Sequence, residues 1–264
     1  MGETSAYHIG EVLQSSGRLS FRPLCIYSGK FIPLGAIPAP LIDRCIIQAL
    51  IKMMKNKSIN SIYLDEKSSR NLCPGGRGWL GYRPISASIK YFVSTGKPSK
   101  EPSSKGERKS FSECYLNSPE TAEDVIKQIG KINALPEYLT ISPCEQLDGE
   151  NVDAKAILCY GTAEQIRNIS ALGHFRGQDI FHNVLMPFGS ACTTLITFPA
   201  EMAEFGPRNA IFVGPVDPTI NHVIDPNYLF IAIPFQKAVE MASDSGSSFL
   251  NRHTSVAFPK HRLS

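Results

Sequence analysis

Short apolar runs alternate with turn-forming residues along this chain, a pattern that predicts strands interspersed with helices. Residues 24–27, Leu-Cys-Ile-Tyr, lie between Pro23 and a Ser28-Gly29 turn and predict an interior strand. Pro33, Pro38 and Pro40 make the next stretch irregular. Asp43 is then expected to cap a helix on which Ile46, Ile47, Leu50, Ile51 and Met54 recur at helical spacing, with Cys45 in its first turn. Residues 62–64 predict a strand. Further on, strands are expected at 111–116, 138–142, 156–160 and 229–233. Ser118 and Pro119 open a helix with Val125, Ile126, Ile129 and Ile132 on its apolar face. Thr162 caps another through Ile166, Ile169 and Leu172, and a last helix follows over about 235–242.

In this second part the order is strand, helix, strand, strand, helix, strand. It predicts an α+β fold with a ferredoxin-like split βαβ core. The organisation expected is an N-terminal α/β segment over 1–93, a polar loop or linker over 94–110, a core over 111–250 and a tail over 251–264. The 94–110 stretch carries five basic and two acidic residues and almost no apolar side chain, which suits a solvated connection. Residues 173–225 form a large insertion before the last strand and hold His174, His182, Cys192 and His222. An insertion of that length in a compact domain points to function.

Composition narrows the function classes. With 42% hydrophobic and 19% charged residues in 264, the chain has the means to bury a core and reads neither as disordered nor as a coiled coil. A net charge of +3 argues against nucleic acid as a partner. The uncharged run 181–200 has the length of a membrane span, but His182, Asn183, Pro187, Gly189, Ser190 and Pro199 interrupt it, so no membrane association is expected. The first residues lack a basic start followed by an apolar stretch, and a cytoplasmic location is expected. Seven cysteines stand at 25, 45, 73, 114, 144, 159 and 192 without a CxxC pair, which excludes a zinc ribbon or a ferredoxin run. In a reducing compartment they serve as core residues, metal ligands or reactive thiols rather than disulfides.

Two of them sit where chemistry is favoured. Cys45, at a helix start, is expected to feel the positive end of the dipole and to favour thiolate. Cys73 opens Cys-Pro-Gly-Gly-Arg-Gly-Trp-Leu-Gly, a turn able to aim N–H groups at an anion or at cluster sulfides. It lacks the ending of a P-loop and the spacing of a dinucleotide fingerprint.

The segments Cys45-Ile46-Ile47-Gln48-Ala49, Cys73-Pro74-Gly75 and Ala191-Cys192 followed by Pro199, with residues 160–166 and 230–234, resemble the uncharacterised ArCR family in order and spacing over about residues 20–245. Two residues separate Cys45 from Gln48 where that family has Cys-Gln-Ala. Gly214-Pro215-Val216-Asp217 replaces a glycine- and cysteine-rich segment ending in Arg. The family name implies no reaction.

The resemblance singles out Cys45, Cys73 and Cys192. Three converging thiolates can hold a [4Fe-4S] cluster and leave one iron open to a small-molecule substrate, with a redox partner protein where electrons are needed. Gly75, Gly76 and Gly78 would donate backbone N–H groups to the cluster, and Arg77 would bind a substrate carboxylate or phosphate beside them. Cys25, Cys114, Cys144 and Cys159 read as small core residues. Three alternatives stay open: a structural zinc site completed by His174 or His182, a non-enzymatic pocket for an anionic metabolite or a tetrapyrrole, and catalysis by a single nucleophilic cysteine. Asp217, between Pro215 and Pro218, reads as a turn residue.

Overall fold

The structure, a computed structural model, describes residues 5–95, 113–129, 137–177, 179–205 and 210–252. The first part contains α1 (Ala6–Gly17), β1 (Leu24–Gly29), β2 (Ile37–Pro38), α2 (Ala39–Ile42), α3 (Ile46–Lys55), β3 (Ile62–Leu64), α4 (Glu66–Ser69), α5 (Pro74–Trp79) and α6 (Ile89–Phe92). The second contains α7 (Pro119–Ile129), β4 (Tyr138–Pro143), β5 (Asp153–Thr162), α8 (Ala163–Gly173) and β6 (Val184–Leu185). After these come α9 (Phe198–Phe205), β7 (Ile211–Gly214), β8 (Tyr228–Pro234), α10 (Phe235–Ser245) and α11 (Phe249–Arg252).

The described strands form one sheet in the order β2-β3-β4-β1-β5-β8-β7-β6, antiparallel except for the pairs at its two edges. The expected α+β class holds. β1 is bonded on both sides, with Leu24 opposite Pro143 of β4 and Leu158 of β5, which is why its four apolar residues are all buried. The N-terminal strand therefore parts β4 from β5, and strands from both sides of the polar stretch share the sheet. Side chains alternate across it. Leu24 and Ile26 face a core shared with α3 and the helix leading into α9, whereas Cys25 and Tyr27 face one shared with α1, α8 and α10.

α3 is buried on most of its circumference, and one side chain bonds Met53 O in its last turn together with two carbonyls just beyond its end. The guanidinium of Arg22, 3% exposed, donates to Met53 O (2.8 Å), Asn56 O (2.8 Å) and Ile59 O (2.5 Å) and pairs with Glu145 at 3.0 Å.

The strand expected at 111–116 does not form over its described part. Cys114 has φ 56°, incompatible with an extended ladder, and Leu116 makes only an isolated bridge to Ser94. Residues 96–112, 130–136 and 253–264 lie outside the described residues, and with them most of the polar stretch, the end of the helix expected to reach Ile132 and the tail. The insertion supplies β6, α9 and β7 and widens the sheet beyond β8. No described helix is long and apolar enough to cross a membrane; the uncharged 181–200 run divides into β6, a turn and a helix start.

Candidate functional site

Three chain segments bring Cys45, Cys73 and Cys192 together on the α3 side of the sheet. Cys45 is the N-cap of α3; its N–H donates to Asp43 Oδ1 at 2.9 Å, so Asp43 braces the cap rather than forming it. Cys73 is the N-cap of α5 and donates its N–H to Arg44 O at 2.8 Å, which ties its turn to the residue before Cys45. Cys192 lies in the first turn of the helix that begins at Ala191. The Ala191 N–H donates to Asp217 Oδ2 at 2.8 Å, and the helix widens into a π-turn over Thr193–Thr197 before becoming α9. Such π segments recur at functional sites.

Gly76 is the point at which these segments meet. Its N–H donates to Cys73 Sγ at 3.3 Å. A Cβ at Gly76 would lie 3.3 Å from Cys73 Sγ and 3.8 Å from Cys192 Sγ, so the two sulfurs are within about 7 Å of each other. Any larger residue would enter the space between them. Gly75 and Gly78 are less constrained, meeting Trp79 and Ile85 at 3.8 and 3.6 Å. The expected glycine turn is a short helix: Pro74 occupies its first position and Cys73 caps it, so Gly75, Gly76 and Gly78 are helical and only Gly81, φ 80°, takes a left-handed conformation.

The thiols also act on one another electrostatically. Burial raises the Cys192 pKa well above the usual thiol range, the charges of Cys73, Cys45 and Asp217 raise it further, and the Ser190 hydroxyl opposes them. Burial likewise raises Cys45; the Gln48 and Ile47 N–H groups pull downward, and Cys73 pushes upward. The helix start thus fails to make Cys45 the thiolate expected from sequence, because desolvation outweighs the N–H groups. Three thiols in one electrostatic neighbourhood ionise together only when a cationic group compensates them, which is the condition a metal centre supplies. The donor set and the gap kept clear by Gly76 fit such a centre. Among the described residues no group of three or more His, Cys, Asp or Glu side chains is placed to hold a single metal ion.

The other proposed ligands are engaged elsewhere. His182 is exposed and its Nδ1 sits 2.8 Å from Asp179 Oδ2, while His174 Nδ1 faces the Asn183 amide at 3.5 Å. Cys25, Cys144 and Cys159 are buried in the core on the opposite face, as expected, but Cys114 is exposed. Its left-handed backbone removes it from the strand that would have buried it.

Asp217 does more than shape a turn. It accepts from the Thr219 N–H and hydroxyl at 3.1 and 2.6 Å through Oδ1 while Oδ2 caps the Cys192 helix. Its place between two prolines signals a turn but not the helix it caps, a contact across 26 residues. The helical packing of Gly76 against two sulfurs likewise has no local sequence signal beyond its nearness to Cys73.

The family described as uncharacterised ArCR matches residues 12–244. No curated protein and no solved structure matches the chain.

Proposed function

The chain belongs to the uncharacterised ArCR family, and we propose that it holds a [4Fe-4S] cluster on Cys45, Cys73 and Cys192 and uses the open iron on a small molecule in the cytoplasm. The observation that carries the reading is the approach of Cys73 and Cys192 across Gly76, with Cys45 within electrostatic reach of both. An upper limit of about 7 Å between Cys73 Sγ and Cys192 Sγ falls within the span of thiolates on one cluster, and among the described residues no three His, Cys, Asp or Glu side chains are gathered as a single tetrahedral zinc, with sulfurs at about 2.3 Å, would require. Neither histidine named for a zinc site is joined to these cysteines. When bound, such a cluster supplies Lewis-acid or redox chemistry at an iron that lacks a cysteine ligand.

The chain's own residues would prepare the site. The Gly76 N–H would stabilise the Cys73 thiolate, and those of Ile47 and Gln48 the Cys45 thiolate. Asp217 would fix the start of the helix that presents Cys192. Burial of Cys192 would keep bulk water from one side of the centre.

The test is anaerobic purification or reconstitution followed by iron and sulfide analysis. The expected outcome is close to four irons and four sulfides per chain, with retention reduced at least tenfold in Cys45→Ser, Cys73→Ser and Cys192→Ser. A colourless, iron-free protein after reconstitution overturns the reading, as does full iron content in the triple variant.

A further inference from the structure

The two edges of the sheet are finished differently. At the β2 edge, Pro38 lies in the strand and Pro40 just beyond it, which removes main-chain donors from that side. At the β6 edge, residues 183–190 carry no charged side chain. This edge holds to its neighbour through odd-numbered residues: Asn183 O accepts the Ile211 N–H at 2.9 Å, and the Gly189 N–H donates to Val216 O at 3.2 Å beside the bridge between Phe188 and Val216. Pro187, which has no N–H to offer, falls in the same inward phase. The N–H and C=O groups of Val184, Met186 and Phe188 therefore point away from the sheet, and among the described residues no hydrogen bond engages them.

Apolar side chains border that edge. Ile180, Phe181, Met186 and Phe188 are 71%, 78%, 54% and 41% exposed, and Phe175 adds 46%. At about 200 Å² for each side chain, these five leave roughly 500 Å² of apolar surface in water, as much as the largest patch of an ordinary monomer. With the ~60% apolar share typical of an interface, that corresponds to about 800 Å² per partner, the size at which two chains associate stably. The ionisable groups of the segment are bonded within the chain, His182 Nδ1 to Asp179 Oδ2 at 2.8 Å and Arg176 to Asp244 at 2.6 Å. What remains to be covered is uncharged main chain flanked by apolar side chains.

We infer that the β6 edge is the interface of a two-fold dimer in which two copies of this chain join their sheets edge to edge. An antiparallel pair centred on Met186 sets Met186 against the partner's Met186 and Val184 against the partner's Phe188. All three outward-facing residues then fall at hydrogen-bonded positions, each exchanging N–H and C=O with its opposite. The register is self-complementary, as a two-fold interface requires, and pairing removes the open edge from both sheets. No charge meets a like charge across the axis, because 183–190 contains none. A lone extended peptide would take the same hydrogen bonds but span only one strand's width, about 5 Å. A second copy brings a matching apolar border and covers this one. The interface makes no use of the cysteine site.

The experiment follows the mass of the full chain by sedimentation from about 1 to 100 µM, with amide hydrogen exchange at both ends of that range. A reversible monomer–dimer equilibrium is expected, with exchange at Val184, Met186 and Phe188 slowed about tenfold or more in the dimer. Met186→Lys places two like charges at the axis and should weaken association about a hundredfold. Phe181→Asp should weaken it about tenfold, and it carries the test if Met186→Lys does not fold. Both positions are exposed in the monomer, so its unfolding midpoint should stay within about 2 °C. A chain that remains monomeric at about 100 µM overturns the inference, whatever other partner the edge binds. So does a dimer in which these three amides exchange as fast as in the monomer, or one that both variants leave intact.

Discussion

Cys159 and Cys114 carry the same thiol in opposite surroundings. Cys159 lies wholly inside the core between the sheet and α1, α8 and α10, and burial raises its pKa from 9.0 to about 12; Cys25 and Cys144 beside it are raised in the same way. For an acid whose folded pKa exceeds its unfolded value, stability is intact below the unfolded pKa and is lost as pH rises above it, because only the unfolded chain releases the proton. Each such thiol should therefore cost about 1.4 kcal/mol of stability per pH unit above about 9, up to its folded pKa. Urea unfolding at pH 8.5, 9.5 and 10.5 measures this. Cys159→Ala should lower the starting stability yet flatten the alkaline decline, and an equally steep decline in the variant would show that Cys159 does not contribute. The core reading of Cys25, Cys144 and Cys159 holds, and it fails at Cys114, whose neighbours are apolar enough for a strand. Its φ of 56° depends on how residues 92–95 and 113–116 cross, which no local pattern encodes.

Elements with an uninterrupted period were the most legible, because burial on one face writes itself into the sequence. α3, α8 and α10 form where helical spacing predicts them, and β1, β4, β5 and β8 where apolar runs do. The glycine turn was not, since Pro74 and the Cys73 cap outweigh the low helix propensity of three glycines over a single helical turn. Nor was the far end of α3 legible, where the partner of three carbonyls is Arg22, more than thirty residues back along the chain. Removing that side chain leaves Met53 O, Ile59 O and the Glu145 carboxylate without the donor shown for them, while Asn56 O keeps only the Ile59 N–H at 3.2 Å. Arg22→Ala should thus destabilise the protein by about 3 kcal/mol, within the range for breaking a buried charged hydrogen-bond network. Arg22→Lys should recover less than half, because one ammonium cannot span the fork. Urea midpoints at unchanged m-value give the comparison. A loss below about 1 kcal/mol in Arg22→Ala would mean that other groups satisfy these carbonyls.

Across the whole molecule the three site cysteines come from distant places in the topology. Cys45 and Cys73 follow β2 and β3 at one edge of the sheet, and Cys192 follows β6 at the other. They meet because the helix leading into α9 runs back over β7, β8 and β5 on the face that α3 also covers. That convergence rests on strand order, and strand order was not legible. The split βαβ pattern orders the second part by itself, whereas β1 enters between β4 and β5 through hydrogen bonds that any apolar strand of its length could make. A centre bound to all three cysteines would cross-link segments that the unfolded chain holds far apart, so its binding energy would appear as folding energy. At a free-ligand excess of a hundredfold over the dissociation constant this amounts to about 2.7 kcal/mol. In a chain of this size that corresponds to a rise of about 5–10 °C in the unfolding midpoint. Scanning calorimetry of the reconstituted and metal-free protein under anaerobic conditions should show that difference, and Cys73→Ser should abolish it while leaving the metal-free midpoint within about 2 °C, since Cys73 is half-buried and its backbone bond to Arg44 survives the change. Equal midpoints with iron and sulfide bound would mean that the centre does not join the three segments.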